Sequence, residues 1–405
     1  MPFFDFEDVV DNIVNEVFLD KQDDDGVYNY ERLPKNFLKL ALVSRSFLNP
    51  VRRSIYRDVR VEGTERFLLL TGQLRFSPQL AKFVKSASLI SNCLQFHHID
   101  GIDEGPGWEP RSVSVISLRW FLDVCPQLTQ LSISGGDFLL ALSSQTPKTI
   151  KLTDITLLGC SRCNLSGQTL SCTDDLAAGW LKNIVAFPRL KELDISEFQI
   201  GGPGLDAVYG IPSRSSVCTG LAISNMNRRT VPNGLKTLLR SMPTLAELVL
   251  DGIAMRLGEL KNCLKFVAGT LTLLTITDYH STEDNAQPWE NDAVAVLTQL
   301  KTLSLNGVPV TPPFFDTLPP RLEHLRFSGE ALTRLPAPAF AAWLRRKDFP
   351  LRGVLKKLEV VGQLRANTLN RGPEASNKQV AELAQLCRAL GIEWIHKRDR
   401  HEDLF

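Results

Sequence analysis

The chain lacks a surplus of either charge. Lysine and arginine total 46 against 45 acidic residues in 405, a formal net charge of +1. Without a basic excess there is no electrostatic case for nucleic acid or an anionic membrane as partner. No apolar run approaches the roughly 18 residues of a membrane-spanning helix. The opening, MPFFDFEDVVDN, is acidic where an export signal would be basic. Cysteine is sparse: eight thiols are scattered with no dense framework, which predicts free buried thiols in a reducing compartment, cytosol or nucleus. Catalytic signatures are missing too. There is no G-x-S-x-G, H-E-x-x-H or G-x4-G-K-[ST], and the six histidines pair with no plausible nucleophile. Triads assemble in space rather than in sequence, yet nothing here asks for an enzyme or a cofactor.

What is present is 43% hydrophobic residues, enough for an ordered chain of two or three domains. Val9, Val10, Ile13, Val14, Val17 and Phe18 recur at helical spacing among acids and amides, which predicts one amphipathic helix. An acidic loop follows, and a second helix is expected over about 36–48. Asn49 and Pro50 read as a break and restart, since Asn caps well and Pro is tolerated at a first helical position. A third helix, VRRSIY, completes a small unit with a marginal core of its own.

The order of an acidic residue, paired aliphatics, xxIVxxV, a loop and then LxxLALVSRSFLNPVRRSIYRDV resembles an F-box, in the form common in fungal F-box proteins. The resemblance spans about sixty residues. It implies that Val9, Val10, Ile13, Val14 and Val17, with Leu42, Val43, Ser44, Arg45 and Phe47, meet a Skp adaptor or support that surface. The other reading of the same helices is a cap that shields the first repeat of the domain that follows.

From residue 80 the chain repeats. LTQLSI (128–133), LKELDI (190–195), CTGLAI (218–223), LAELVL (245–250), LTLLTI (271–276), LKTLSL (300–305), LEHLRF (322–327) and LKKLEV (355–360) share the form L-x-x-L-x-L. Weaker copies are VKSASL (84–89) and PKTIKL (147–152). The second apolar positions are Ala87, Leu131, Ile150, Leu193, Leu221, Leu248, Leu274, Leu303, Leu325 and Leu358. Their spacing resembles the leucine-rich repeat, whose period is roughly 20–29 residues. Helical stretches lie between, LRWFLDVCPQ, LAAGWLKNIVAFP, GLKTLLRSMP, LGELKNCLKFVAG and NDAVAVLTQ, several ending in Pro or Gly. The expected fold class is therefore α/β. A three-helix F-box-like module (1–60) and a linker (61–79) precede an irregular leucine-rich-repeat solenoid (80–405), with parallel strands on the concave face and helices on the convex face. Two long excursions are expected at 90–117 and 158–180, and a closing helix VAELAQLCRAL precedes a last strand near IEWI.

Three local patterns point weakly to other chemistry. Cys160, Cys163 and Cys172 lack a fourth nearby ligand, and only folding could bring Cys218 or His97 and His98 to them, so no metal site is expected. GPGLDA (202–207) mimics a dinucleotide fingerprint, but AISNMN stands where its acidic residue belongs. KQDDDG (21–26) has Lys21 and Arg32 where a calcium loop needs acids.

As a whole the chain resembles an F-box protein with C-terminal leucine-rich repeats. That implies the substrate-recognition subunit of a Skp–cullin–F-box ubiquitin ligase, acting by proximity. The competing readings are a repeat scaffold with a vestigial cap and a hydrolase hidden in the Cys-rich excursion. Strand residues flanking the buried pairs are the candidate target-binding ladder: Glu192, Asp194, Glu247, Asp251, Thr302, Ser304, His324 and Arg326. The four acids are expected to favour a basic segment.

Overall fold

Five-residue strands with two inward apolar side chains dictate the architecture. A computed structural model describes residues 45–90, 115–145, 150–159, 181, 183–196, 216–224, 232–252, 257–277, 293–308, 310, 312–328, 337–346, 348, 351–362, 364 and 375–397. The strands are β1 (Asp58–Glu62), β2 (Ser86–Ile90), β3 (Gln130–Ser134), β4 (Asp154–Leu158), β5 (Glu192–Ser196) and β6 (Gly220–Ser224). The second half holds β7 (Glu247–Asp251), β8 (Leu273–Thr277), β9 (Thr302–Asn306), β10 (His324–Ser328), β11 (Lys357–Val361) and β12 (Glu393–Lys397). They form one parallel sheet in strict sequence order, so each strand pairs only with the strands before and after it. That is a solenoid of leucine-rich-repeat type, in which each repeat buries its apolar face only by stacking on its neighbours.

The register fixes the core. Leu193, Leu221, Leu248, Leu274, Leu303, Leu325 and Leu358 are opposite one another in successive strands. All seven are buried, as are the residues two positions on, Ile195, Ile223, Leu250, Ile276, Leu305, Phe327 and Val360. Side chains alternate along a strand, so a register slip of one residue would turn this whole set to the other face. Just ahead of each strand the ladder continues through a shared acceptor. The Lys191 carbonyl accepts the N–H groups of Thr219 (2.8 Å) and Gly220 (2.9 Å), and the Thr219 carbonyl accepts those of Ala246 (2.8 Å) and Glu247 (2.9 Å). Threonine recurs at this place because its hydroxyl can reinforce the same contact. Thr153, Thr219 and Thr272 each donate Oγ1 to the carbonyl of the preceding repeat, at 3.3, 3.3 and 3.1 Å. Gly252 and Gly307, both at φ 65°, leave their strands in the left-handed conformation that side chains disfavour.

The helices cover the apolar side of the sheet. They are α1 (Arg45–Arg57), α2 (Thr64–Phe76), α3 (Pro78–Ala81), α4 (Val115–Val124), α5 (Gly136–Ser143), α6 (Pro232–Arg240), α7 (Leu257–Leu264), α8 (Ala337–Arg345) and α9 (Asn377–Ala389). Neighbours pack on neighbours: α2 on α4, α4 on α5, α6 on α7, α8 on α9. Aromatic rings fill the space beneath at both ends. Phe67 meets Phe121 at 5.5 Å and Phe138 at 5.1 Å edge to face, and Phe315 stacks on Trp343 at 4.3 Å. The last helix begins with a capping box, in which Ser376 Oγ accepts the Gln379 N–H (3.3 Å) and Gln379 Oε1 accepts the Ser376 N–H (2.8 Å).

Four sequence expectations change. The fourth strand is not PKTIKL: it lies at Asp154–Leu158, with Ile155 and Leu157 opposite Leu193 and Ile195, while Ile150 is buried ahead of it. LTDITL (152–157) carries the same L-x-x-L-x-L form. Residues 61–79, read as a linker, contain the end of β1, all of α2 and the start of α3. The chain does not break at Asn49 and Pro50, because α1 continues through Pro50. A mid-helix proline costs about 3 kcal/mol in isolation, and here Pro50 and Val51 are buried, which offsets that cost. Finally, the described part of NDAVAVLTQ forms turns at 293–296 rather than a helix. Of the F-box-like module, residues 1–44 lie outside the described residues, as do 91–114 and 160–180 of the two excursions.

Candidate functional site: the polar face of the sheet

Opposite the helices, the first, third and fifth residues of each strand form three columns across twelve rungs. Rungs of a sheet are about 4.8 Å apart, so the columns bring together side chains that are distant in sequence. On β5, Glu192 is exposed and Asp194 half-buried, with Ser196 donating Oγ to Asp194 Oδ1 at 3.0 Å. On β7, Glu247 is exposed and Asp251 half-buried at the far end of the strand. Between them β6 presents only Gly220, Ala222 and Ser224. The result is a trough with a floor of small residues and acidic walls on both sides, set about 10 Å apart across two rung spacings.

The sequence-predicted acids are therefore brought together. Glu192 is opposite Gly220 and Gly220 opposite Glu247, while Ser196, Ser224 and Asp251 share the other end. A fifth acid joins them that sequence reading missed. Asp154 opens β4 opposite Glu192, and its Oδ2, 2.9 Å from Thr153 Oγ1, shares that hydroxyl's single proton with the Thr129 carbonyl. It was missed because the strand was placed several residues too early. The small floor of β6 was legible in GLAIS and carried no weight as a sequence signal.

Thr302 and Ser304 stand half-buried on β9, one rung before His324 and Arg326 on β10, both exposed. They lie three and four rungs from the β6 floor, so the predicted residues form two groups rather than one. The second group is basic. Lys357 on β11 and Lys397 on β12 flank Glu359, at 3.8 and 3.4 Å. Just ahead of β10, Lys356 donates a hydrogen bond to Glu323 (2.5 Å) and holds that carboxyl below the usual carboxylate range. Among the described residues no group of three His, Cys, Asp or Glu is placed to hold a metal ion. Cys160, Cys163, Cys172, His97 and His98 lie outside them, as do GPGLDA and KQDDDG. Four described thiols, Cys125, Cys218, Cys263 and Cys387, are buried and form no disulfide. Burial pushes the Cys125 thiol up to about 12 and the other three up to about 11.

Of the residues that the sequence reading expects to face an adaptor, Arg45 and Phe47 fall in α1; Val9, Val10, Ile13, Val14, Val17, Leu42, Val43 and Ser44 lie outside the described residues. The rest of α1 packs on α2 and on the segment after α3. Val51 is 1% exposed, the Arg53 guanidinium sits 6.0 Å from the Phe83 ring centre, and Tyr56 Oη accepts a hydrogen bond from Gln73 Nε2 at 3.0 Å.

No protein-family model matches this sequence, and no curated protein matches it significantly. Among solved structures, the chain is similar to one from the yeast Rad7 and Elc1 complex, with a TM-score of 0.39 and 13% identity over 94% of this chain and 87% of that one. It is also similar to the leucine-rich repeat-containing protein LegL7 of Legionella pneumophila, at a TM-score of 0.37 and 15% identity over 76% and 90%. Likeness at this level carries no functional argument, and the solenoid assignment rests on strand order and register.

Proposed function

We propose that this chain is the substrate-recognition subunit of a Skp–cullin–F-box ubiquitin ligase. Its N-terminal module docks on the Skp adaptor, and the polar face of the sheet holds a protein target. The observation that carries the reading is the F-box-like segment together with its junction: Arg57 ends α1 and Asp58 begins β1, with no residue between. Such a junction suits a device that works by proximity, since a target on the sheet keeps a set distance from the docked adaptor. The chain contributes no catalytic residue of its own; chemistry belongs to the ubiquitin-loaded enzyme brought by the other subunits. The acidic trough around β6 selects a basic, extended segment of the target by charge complementarity. Co-purification of the full chain with adaptor and cullin tests this directly, and absence of adaptor binding at micromolar concentration would end it.

One observation favours a second reading. Pro50 and Val51 are buried and Arg53 packs over Phe83, so α1 also serves as a lid on the first rung. A repeat scaffold with a vestigial cap would show the same packing and no adaptor affinity. Adaptor binding separates the two.

A further inference from the structure

Among the described residues, the helical side of the first repeats carries most of the exposed large apolar side chains. α2, TERFLLLTGQLRF, carries apolar residues on more than one side, so a single packed face cannot bury them all. Phe67, Thr71 and Leu74 face the core as expected. On the opposite side Leu68 is 36% exposed, Leu69 74% and Phe76 89%. Beside it α4 adds Ile116 at 60% and Trp120 at 48%. Only Val217 and Phe266 elsewhere among the described residues are large, apolar and comparably open. The Arg75 guanidinium lies 4.9 Å from the Trp120 ring centre and joins the two helices into one patch. Single exposed apolar residues are ordinary, but a contiguous group marks an interface.

Charge decides what fits there. The patch bears both signs: Glu65, Arg66 and Arg75 on α2, and the ion pair of Arg119 with Asp123 (3.1 Å) on α4. An anionic lipid surface would meet Glu65 and Asp123, and a partner of one charge would meet its like. A surface of mixed sign is complementary to itself, as a two-fold interface requires. The order of residues along α2 supports this. The helix runs from Thr64 to Phe76, so Leu70 is its midpoint. Leu68 and Gly72 stand two residues either side of Leu70, and Glu65 and Arg75 five residues either side, roughly 7.5 Å along the axis. Antiparallel packing of two copies about Leu70 therefore sets each Leu68 at the level of Gly72 of the second copy. It also sets each Glu65 level with Arg75 of the second copy. A Cβ at Gly72 would meet nothing within 4 Å, so the notch has room for a side chain.

We propose that this chain forms a two-fold homodimer through the outer faces of α2 and α4. Sedimentation of the purified full chain between about 1 and about 100 µM tests it, a range that brackets a moderate association. The expected result is a rise from one to two masses of 45.2 kDa across that range. Leu69→Ser with Phe76→Ser should leave a monomer throughout, with an unchanged circular dichroism spectrum because both positions are exposed. Glu65→Arg or Arg75→Glu alone should weaken dimerisation about tenfold, and the two together should restore it to within about threefold. That restoration is the signature of self-pairing, which a different partner would not produce. A wild-type chain that stays monomeric at the highest concentration overturns the proposal, even if another protein is found on the patch. So does a dimer that survives the serine variants.

Discussion

Glu192 leans over Gly220: a Cβ built on the glycine would sit 3.4 Å from Cγ of Glu192. The acidic side chain thus lies against the neighbouring strand, and the absence of a side chain at 220 leaves the trough its depth. Gly220→Ala should be tolerated and add about 0.5–1 kcal/mol of stability, because alanine restricts the unfolded chain. Gly220→Phe should fill the trough, reduce target binding by about tenfold or more and leave adaptor binding intact. Calorimetric titration against both partners separates the two effects.

Reversing Glu192, Asp194, Glu247 and Asp251 to lysine should abolish capture of a basic target. Before that, wild-type affinity should fall as salt rises toward about 0.5 M, since half-exposed charges are screened. Undiminished ubiquitination of the native target by the four-fold variant would move recognition off this face.

Leu193, Leu248, Leu303 and Leu358 are each at most 1% exposed and sit at equivalent places in the sheet. Leu→Ala at any one should cost about 2–5 kcal/mol, read from denaturant unfolding. Similar costs at all four positions are the expected outcome, and a cost below about 1 kcal/mol at any would contradict its place in the core.

Ile13→Asp with Val14→Asp should weaken adaptor binding by at least about 2 kcal/mol, roughly thirtyfold, because charge would enter an apolar contact. Target binding should be unaffected. Equal loss of both would point to unfolding rather than to a docking surface.

Cys125, Cys218, Cys263 and Cys387 should resist a thiolate-directed reagent at pH 8 in the folded chain and react after denaturation. Their thiols are raised by burial to about 12 for Cys125 and about 11 for the rest. An ordinary thiol ionises near 8.5. The unfolded chain therefore loses protons first as pH rises, and the stability these groups contribute is complete below about 8.5 and is lost toward 11–12. Replacing all four by alanine should flatten the fall of stability with pH above about 9.

Much of the sheet was legible because its signal is short and repeated. Leu193, Leu248, Leu303 and Leu358 could be named from L-x-x-L-x-L alone, since burying two alternate side chains fixes face and register together. The fourth strand was not, because Ile150 and Leu152 are buried as well and offer the same spacing a few residues early. β1 was hidden for another reason. DVRVE has only Val59 and Val61 to mark a strand, and it follows a helix without a turn residue. The acids of the trough were legible singly, but their nearness depends on which strands are neighbours. Nothing in α2 as a sequence marks which of its apolar faces stays open; that depends on where the sheet ends.

The direct join of Arg57 to Asp58 makes the sheet a ruler. With one strand per step and about 4.8 Å per step, the floor of the acidic trough on β6 lies about 24 Å from β1, and the basic rung at β10 about 43 Å. A target that binds at one rung rather than another is held at a different distance from α1. Inserting or deleting one repeat between β1 and β6 would move it by a single step without touching either binding surface. In the proposed ligase role, where the target binds along the array decides which of its lysines come within reach.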